Sequence, residues 1–99
     1  MRLSAREVAV IRSLARRHFG EDANVYLFGS RVDDSKRGGD IDLYVDVPRV
    51  MDDKARAVLE FNADLQVSLG EQRIDVIVRD AATKPLAIHD EARRTGVCL

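Results

Sequence analysis

The run from Asp40 to Val47 alternates without a break, and it constrains this chain more than any other feature. Successive side chains on a strand point to opposite faces. Ile41, Leu43, Val45 and Val47 therefore share one face, and Asp40, Asp42, Tyr44 and Asp46 share the other. A second run, Arg73 to Val78, repeats the pattern, with Ile74, Val76 and Val78 on one face and Asp75 and Ile77 on the other. Packing gives a core strand no reason to carry aspartate, because burying a carboxylate is costly unless it is paired or bound to a metal. Two strands carry that cost here. Just upstream, the apolar run Asn24 to Phe28 stops at Gly29-Ser30, and nine residues then separate Ser30 from Asp40.

The remaining segments read as helices. Ser4 can cap the first, and Glu7, three residues on, can close a capping box. Val8, Ile11, Leu14 and Ala15 follow at helical spacing, and Gly20 is placed to end the helix. A second helix is expected from about Asp52 to Leu69, capped by Asp52 or Asp53 and ended by Gly70. Pro85 can open a short third helix reaching Arg94, with Gly96 as its stop. Residues 31–39 are polar and turn-rich, which predicts a loop. The order is αβ(loop)βαβα, and the helix between the second and third strands is of crossover length. This predicts an α/β (α+β) fold: a small mixed sheet of three or four strands, helices packed on one face, and the other face open at the carboxylates. At 99 residues the chain reads as a single domain, 1–99.

Composition narrows the function. Apolar residues at 45% and charged ones at 33% fit an ordered, soluble domain. A net charge of -1 argues against binding nucleic acid through bulk electrostatics, so no direct nucleic-acid binding is expected. Arg12, Arg16 and Arg17 read as a solvated helix face. Cys98 has no partner for a disulfide, and no Cys/His spacing suits zinc. No apolar stretch approaches the roughly 20 residues of a membrane span. The first 19 residues are too charged for a signal peptide, and a cytoplasmic, reducing setting is expected.

The spacing permits specific chemistry. Asp40 and Asp42 lie two apart on one strand, so their Cα atoms are roughly 6.5–7 Å apart, and Asp75 approaches from a neighbour about 4.8 Å away. Three such carboxylates can hold two Mg²⁺ ions roughly 3.5–4 Å apart, the arrangement that stabilises attacking and leaving oxygens in phosphoryl or nucleotidyl displacement. Mg²⁺ keeps several waters and takes its other ligands from carboxylates and phosphates, which suits a shallow site. Glycine at position 29 lets the backbone approach a phosphate, while Ser30 adds a hydroxyl and an N–H. These donors would bind the terminal phosphates, which leave as pyrophosphate. Asp75 can also serve as general base toward an acceptor hydroxyl. Lys36 and Arg37 either meet triphosphate oxygens or the acceptor protein, or belong to a solvated loop. Tyr44 either stacks on the adenine or is a half-buried strand tyrosine. Asp46 reads as solvated, and His18 and His89 as surface or capping residues.

Strand, Gly29-Ser30, loop, Asp40-Ile41-Asp42, helix and the later strand Asp75 together resemble the minimal nucleotidyltransferases of the DNA polymerase beta-like superfamily. The resemblance covers nearly the whole chain, with nine residues in the loop against the ten commonly found. It implies a metal-dependent transferase fold, Asp40, Asp42 and Asp75 as catalytic metal ligands, Gly29 and Ser30 as nucleotide-binding residues, and ATP as substrate. It further implies an antitoxin role. Minimal members often pair with a helical HEPN-domain toxin ribonuclease, and active ones transfer AMP from ATP to a toxin tyrosine. Two alternatives stand beside this: a non-catalytic antitoxin that neutralises its partner by binding, and a small-molecule nucleotidyltransferase. The second is disfavoured because 99 residues leave no room for a domain to enclose the acceptor.

Overall fold

Helix α1, Ala5–Phe19, opens on the expected capping box. The Glu7 N–H donates to Ser4 Oγ at 3.1 Å and the Ser4 N–H donates to Glu7 Oε1 at 2.9 Å. These bonds satisfy donors that the helix start leaves without partners. The Gly20 N–H, donating to Arg16 O, closes the last turn. The computed structural model describes residues 3–29, 40–70 and 72–99. The other elements are β1 (Asn24–Phe28), β2 (Ile41–Asp46), α2 (Lys54–Leu69), β3 (Ile74–Arg79), α3 (Ala87–Thr95) and β4 (Val97–Cys98). Asp53 caps α2 by accepting from the Arg56 N–H at 3.1 Å.

The sheet is four-stranded and mixed, in the order β3-β2-β1-β4. Strand β1 is antiparallel to both β2 and β4, whereas β2 and β3 run parallel with α2 as their crossover. The alternation in the sequence divides the sheet as expected. Val25, Leu27, Ile41, Leu43, Val45, Ile74 and Val78 pack with Ile11, Ala15 and Phe19 of α1 and Phe61 and Leu65 of α2. Each large apolar side chain buried in this core contributes roughly 1.5–3 kcal/mol. Phe19 and Phe61 meet edge to face with centroids 5.1 Å apart. His18 is not on the surface: it lies over Phe61 and its Nε2 is 2.7 Å from Asp64 Oδ2, tying α1 to α2.

The opposite face is not uniform. α3 crosses it above β1 and β2, and its His89 ring stacks on Tyr44. The third helix thus occupies part of the face that the alternation leaves for the carboxylates. The connections at the far end are held by Asp80, which is 5% exposed. It accepts from the Thr83 hydroxyl at 2.6 Å and from the Met51 N–H at 2.9 Å. The Thr83 hydroxyl is also 2.7 Å from Lys54 Nζ, so the β2–α2 and β3–α3 connections are pinned together. No helix among the described residues is long and apolar enough to cross a membrane.

Candidate active site

Register places the aspartates. On the face opposite the α1/α2 core, Phe28 pairs with Asp42 and Asp42 pairs with Asp75, which makes one row across β1, β2 and β3. Asp40 lies just before β2, beside Arg73, which precedes β3; Ile41 N donates to Arg73 O at 3.0 Å and fixes the two ends against each other. Asp42 is half-buried and Asp75 exposed.

Burial pushes the Asp42 carboxyl above the usual carboxylate range, and the negative charges of Asp75 and Asp40 push it further. Asp75 lies close enough to accept a hydrogen bond from protonated Asp42, while Arg73 pulls the other way. Like charges gathered at a partly desolvated point favour either a shared proton or a cation. Arg73 does not fully answer that charge. Its Nε is 3.5 Å from Asp40 Oδ2, and its side chain is 77% exposed, so the pair is a weak surface bridge.

Gly29 meets the carboxylate directly. Its φ of +75° is a left-handed conformation that L side chains rarely adopt, and a Cβ there would collide with Asp42 Oδ2. The backbone of the turn after β1 therefore runs directly against the Asp42 carboxylate. Ser30, Lys36 and Arg37 lie outside the described residues.

The donor set suits a hard divalent cation: carboxylate oxygens from two strands, carrying excess negative charge, on an open face where phosphate oxygens and water can complete the coordination. Among the described residues, no three His, Cys, Asp or Glu side chains are drawn together closely enough to enclose a metal ion by themselves. Register sets Asp42 beside Asp75, while Asp40 bridges to Arg73.

Tyr44, placed by the alternation on the same face, does not belong to this site. It is 0% exposed, stacked between Tyr26 at 5.7 Å and His89 at 5.6 Å, and no adenine can reach it. Burial raises the pKa of its hydroxyl, with Asp46 adding to the shift and nearby Arg79 opposing it. Tyr44 Oη and Arg79 Nε are both buried without a hydrogen-bond partner among the described residues. His89 is buried as well, and it does cap α3, with Nδ1 accepting from the Leu86 N–H at 3.1 Å. The outer face of α1 presents Arg12, Arg16 and Arg17 around an open depression of about 540 Å³, remote from the carboxylate row in the fold.

The family model of the nucleotidyltransferase domain matches residues 8–96, all but the first seven and last three residues of the chain. Comparison with curated proteins gives no match. Such domains generally use a nucleoside triphosphate and a divalent metal ion, the two groups to which the carboxylate row and the glycine turn are suited. On a match of this extent, the chain belongs to the nucleotidyltransferase domain family.

Proposed function

We propose that this chain is a protein adenylyltransferase acting as an antitoxin: it transfers AMP from ATP to a tyrosine hydroxyl of a helical HEPN-type toxin ribonuclease and releases pyrophosphate. The observation that carries the transferase reading is the cross-strand pair Asp42 and Asp75, with Asp42 perturbed by burial and by its acidic neighbours. A carboxylate perturbed by burial and like charge at an open face marks a functional-site candidate. We read residues 1–99 as one catalytic unit.

In this reading Asp40, Asp42 and Asp75 hold divalent cations, Mg²⁺ in the cell. Bound there, the ions would neutralise phosphate charge and lower the pKa of the acceptor hydroxyl. The chain's own groups do the rest. Gly29 brings main chain against the phosphates, and Ser30 supplies further donors. Asp75, the most exposed of the row, takes the acceptor proton. The acceptor oxygen bonds to the α-phosphorus as the bond to pyrophosphate breaks.

The test uses the purified chain, a HEPN-type partner, Mg²⁺ and ATP, followed by intact mass. The expected result is a partner heavier by one or more AMP units, with release of pyrophosphate and loss of transfer in EDTA. Asp40→Ala with Asp42→Ala should abolish transfer and keep partner binding. If the double variant still protects cells as well as the wild type, neutralisation works by occlusion. If AMP appears only on small-molecule hydroxyls, the acceptor class assigned here is wrong.

A further inference from the structure

Among the described residues, strand β3 ends the sheet and β2 alone pairs with it. Ile41 N donates to Arg73 O at 3.0 Å and Val47 N to Arg79 O at 2.8 Å, which fixes the parity of the parallel ladder. The odd residues from 73 to 79 turn their main-chain groups toward β2, so Ile74, Val76 and Val78 turn theirs outward. Ile74 O receives the Asn62 side chain at 3.3 Å. The outward groups of Val76 and Val78 bond to no described residue. An edge strand of this kind is a template for another strand, and proteins usually blunt it with lysine, proline or a bulge. Ile74-Asp75-Val76-Ile77-Val78 has neither lysine nor proline; it is β-branched apart from Asp75.

We infer that the acceptor docks as an extended antiparallel strand on the free edge of β3, with its hydroxyl-bearing residue opposite Asp75. This rests on the transferase reading above and names how its substrate is held. Three observations select that occupant over a bare surface. Asp75 turns its main chain away from the edge, so its antiparallel partner sits at a non-hydrogen-bonded position, with Cα atoms about 4.5 Å apart and side chains close. A hydroxyl there points at the Asp75 carboxylate on the open face. Arg73 and Arg79 flank Asp75 on that same face. The edge therefore reads a pattern: carboxylates four residues before and two residues after the hydroxyl residue, and an apolar residue two before it, opposite half-buried Ile77. Main-chain bonds would give affinity, and alternate side chains would give selectivity.

The probe is a synthetic nine-residue peptide with tyrosine in the fifth place, valine in the third, aspartate in the first and seventh, and threonine elsewhere. Amide exchange is followed by NMR. At saturation the Val76 and Val78 amides should exchange at least about tenfold more slowly, in the wild type and in Asp42→Asn alike. N-methylation of the peptide at its second or fourth place should abolish this protection, and at its third or fifth place should spare it. Val76→Pro removes an outward N–H without touching the ladder; it should lose peptide protection and keep Mg²⁺–ATP binding. If that variant does not fold, the N-methyl series on the wild type decides. Mg²⁺–ATP binding without amide protection overturns the edge alone. Protection without Mg²⁺–ATP binding leaves the edge standing and overturns the nucleotide reading beneath it. Protection that grows with protein concentration and no peptide assigns the edge to a second copy of this chain and overturns the proposal.

Discussion

Two neighbouring rows on one face of this sheet follow the same alternation and have opposite fates. In the first row, Phe28, Asp42 and Asp75 stand side by side, with Asp75 exposed and Asp42 pushed toward protonation by burial and by its acidic neighbours. In the second, Tyr26, Tyr44 and Ile77 are in register, and α3 lowers His89 onto Tyr44 until nothing of that ring is exposed. The first row holds electrostatic stress and little packing; the second holds packing and little charge. A two-residue period assigns a face, but it does not say which part of that face another element will cover. The division matters for function, since a site that works against stability depends on the rest of the fold to supply it.

The comparison breaks most sharply at Tyr44. Tyr44→Ala empties a fully buried site and should destabilise the fold by about 3–5 kcal/mol, measured by denaturant unfolding. Tyr44 stacks on Tyr26 and His89, and no hydrogen bond links it to Asp42 or Asp75 among the described residues, so folded protein at low temperature should still bind Mg²⁺–ATP. If binding falls in proportion to ring volume across Tyr44→Phe, Leu and Ala while the protein stays folded, the two rows are one unit and the division fails.

Asp42→Asn should act in the opposite sense. It removes a like charge from a half-buried point, so the melting temperature should rise or hold in metal-free buffer. Transfer should fall by roughly a hundredfold or more, since even groups that only support metal ligands are worth ten- to hundredfold. Initial rates beside thermal melts supply both numbers. Loss of stability together with activity would mean that Asp42 is a structural residue, and would count against the site.

These two outcomes also show what the sequence can and cannot reveal. The capping box of Ser4 and Glu7, the helix stop at Gly20, the core face of β2 and the placement of Asp42 and Asp75 on the other face are local patterns. A short window contains all of the information they need. Strand β4 spans only Val97–Cys98, too short to show any period, and it exists because β1 offers it an edge. The sequence offers His89 as a surface or capping residue; it caps α3 but is not on the surface, and its burial on Tyr44 depends on where α3 lands, which is a tertiary fact. The role of Asp80 was equally hidden, because its partners Met51 and Thr83 come from two separate connections. Ser30 lies outside the described residues, so the phosphate-binding role read for it stays with the proposal.

Gly29 sharpens the contrast on a smaller scale. A left-handed non-glycine residue costs about 1–2 kcal/mol. Here the added Cβ would also displace the Asp42 carboxylate. Gly29→Ala should therefore lower stability by roughly that amount and lower transfer by more than the stability loss explains, with KM for ATP rising. Gly70 provides the control. Its φ of +83° is comparable, but a Cβ there meets nothing within 4 Å, so Gly70→Ala should carry the strain without the loss of transfer. Equal rates for the two variants at equal stability would remove Gly29 from the site.

The mildest effect separates the two ends of the sheet by pH. Asp80 is held down to about 2, chiefly by the Thr83 hydroxyl and then by the Met51 N–H, with Lys54 helping and burial opposing. A carboxylate whose folded pKa lies below its unfolded value of about 3.9 adds stability above that value, and this is lost as pH falls from about 4 toward 2. Asp42 has the reverse sign. Its folded pKa is raised, so its contribution is full below the unfolded value and disappears as pH rises through the folded one. Melting temperatures across pH 2 to 8, without added metal, should show this in two difference curves. Wild type minus Asp80→Asn should be positive at neutral pH and shrink on acidification only below about pH 4. Wild type minus Asp42→Asn should be negative at neutral pH and begin to shrink at a higher pH, where Asp42 takes up its proton. The order of the two changes is the informative result, because it follows from one carboxylate being fully served by donors and the other being crowded by its own kind. If both curves change together below pH 4, Asp42 is no more perturbed than an ordinary surface aspartate, and the stress assigned to the first row is absent.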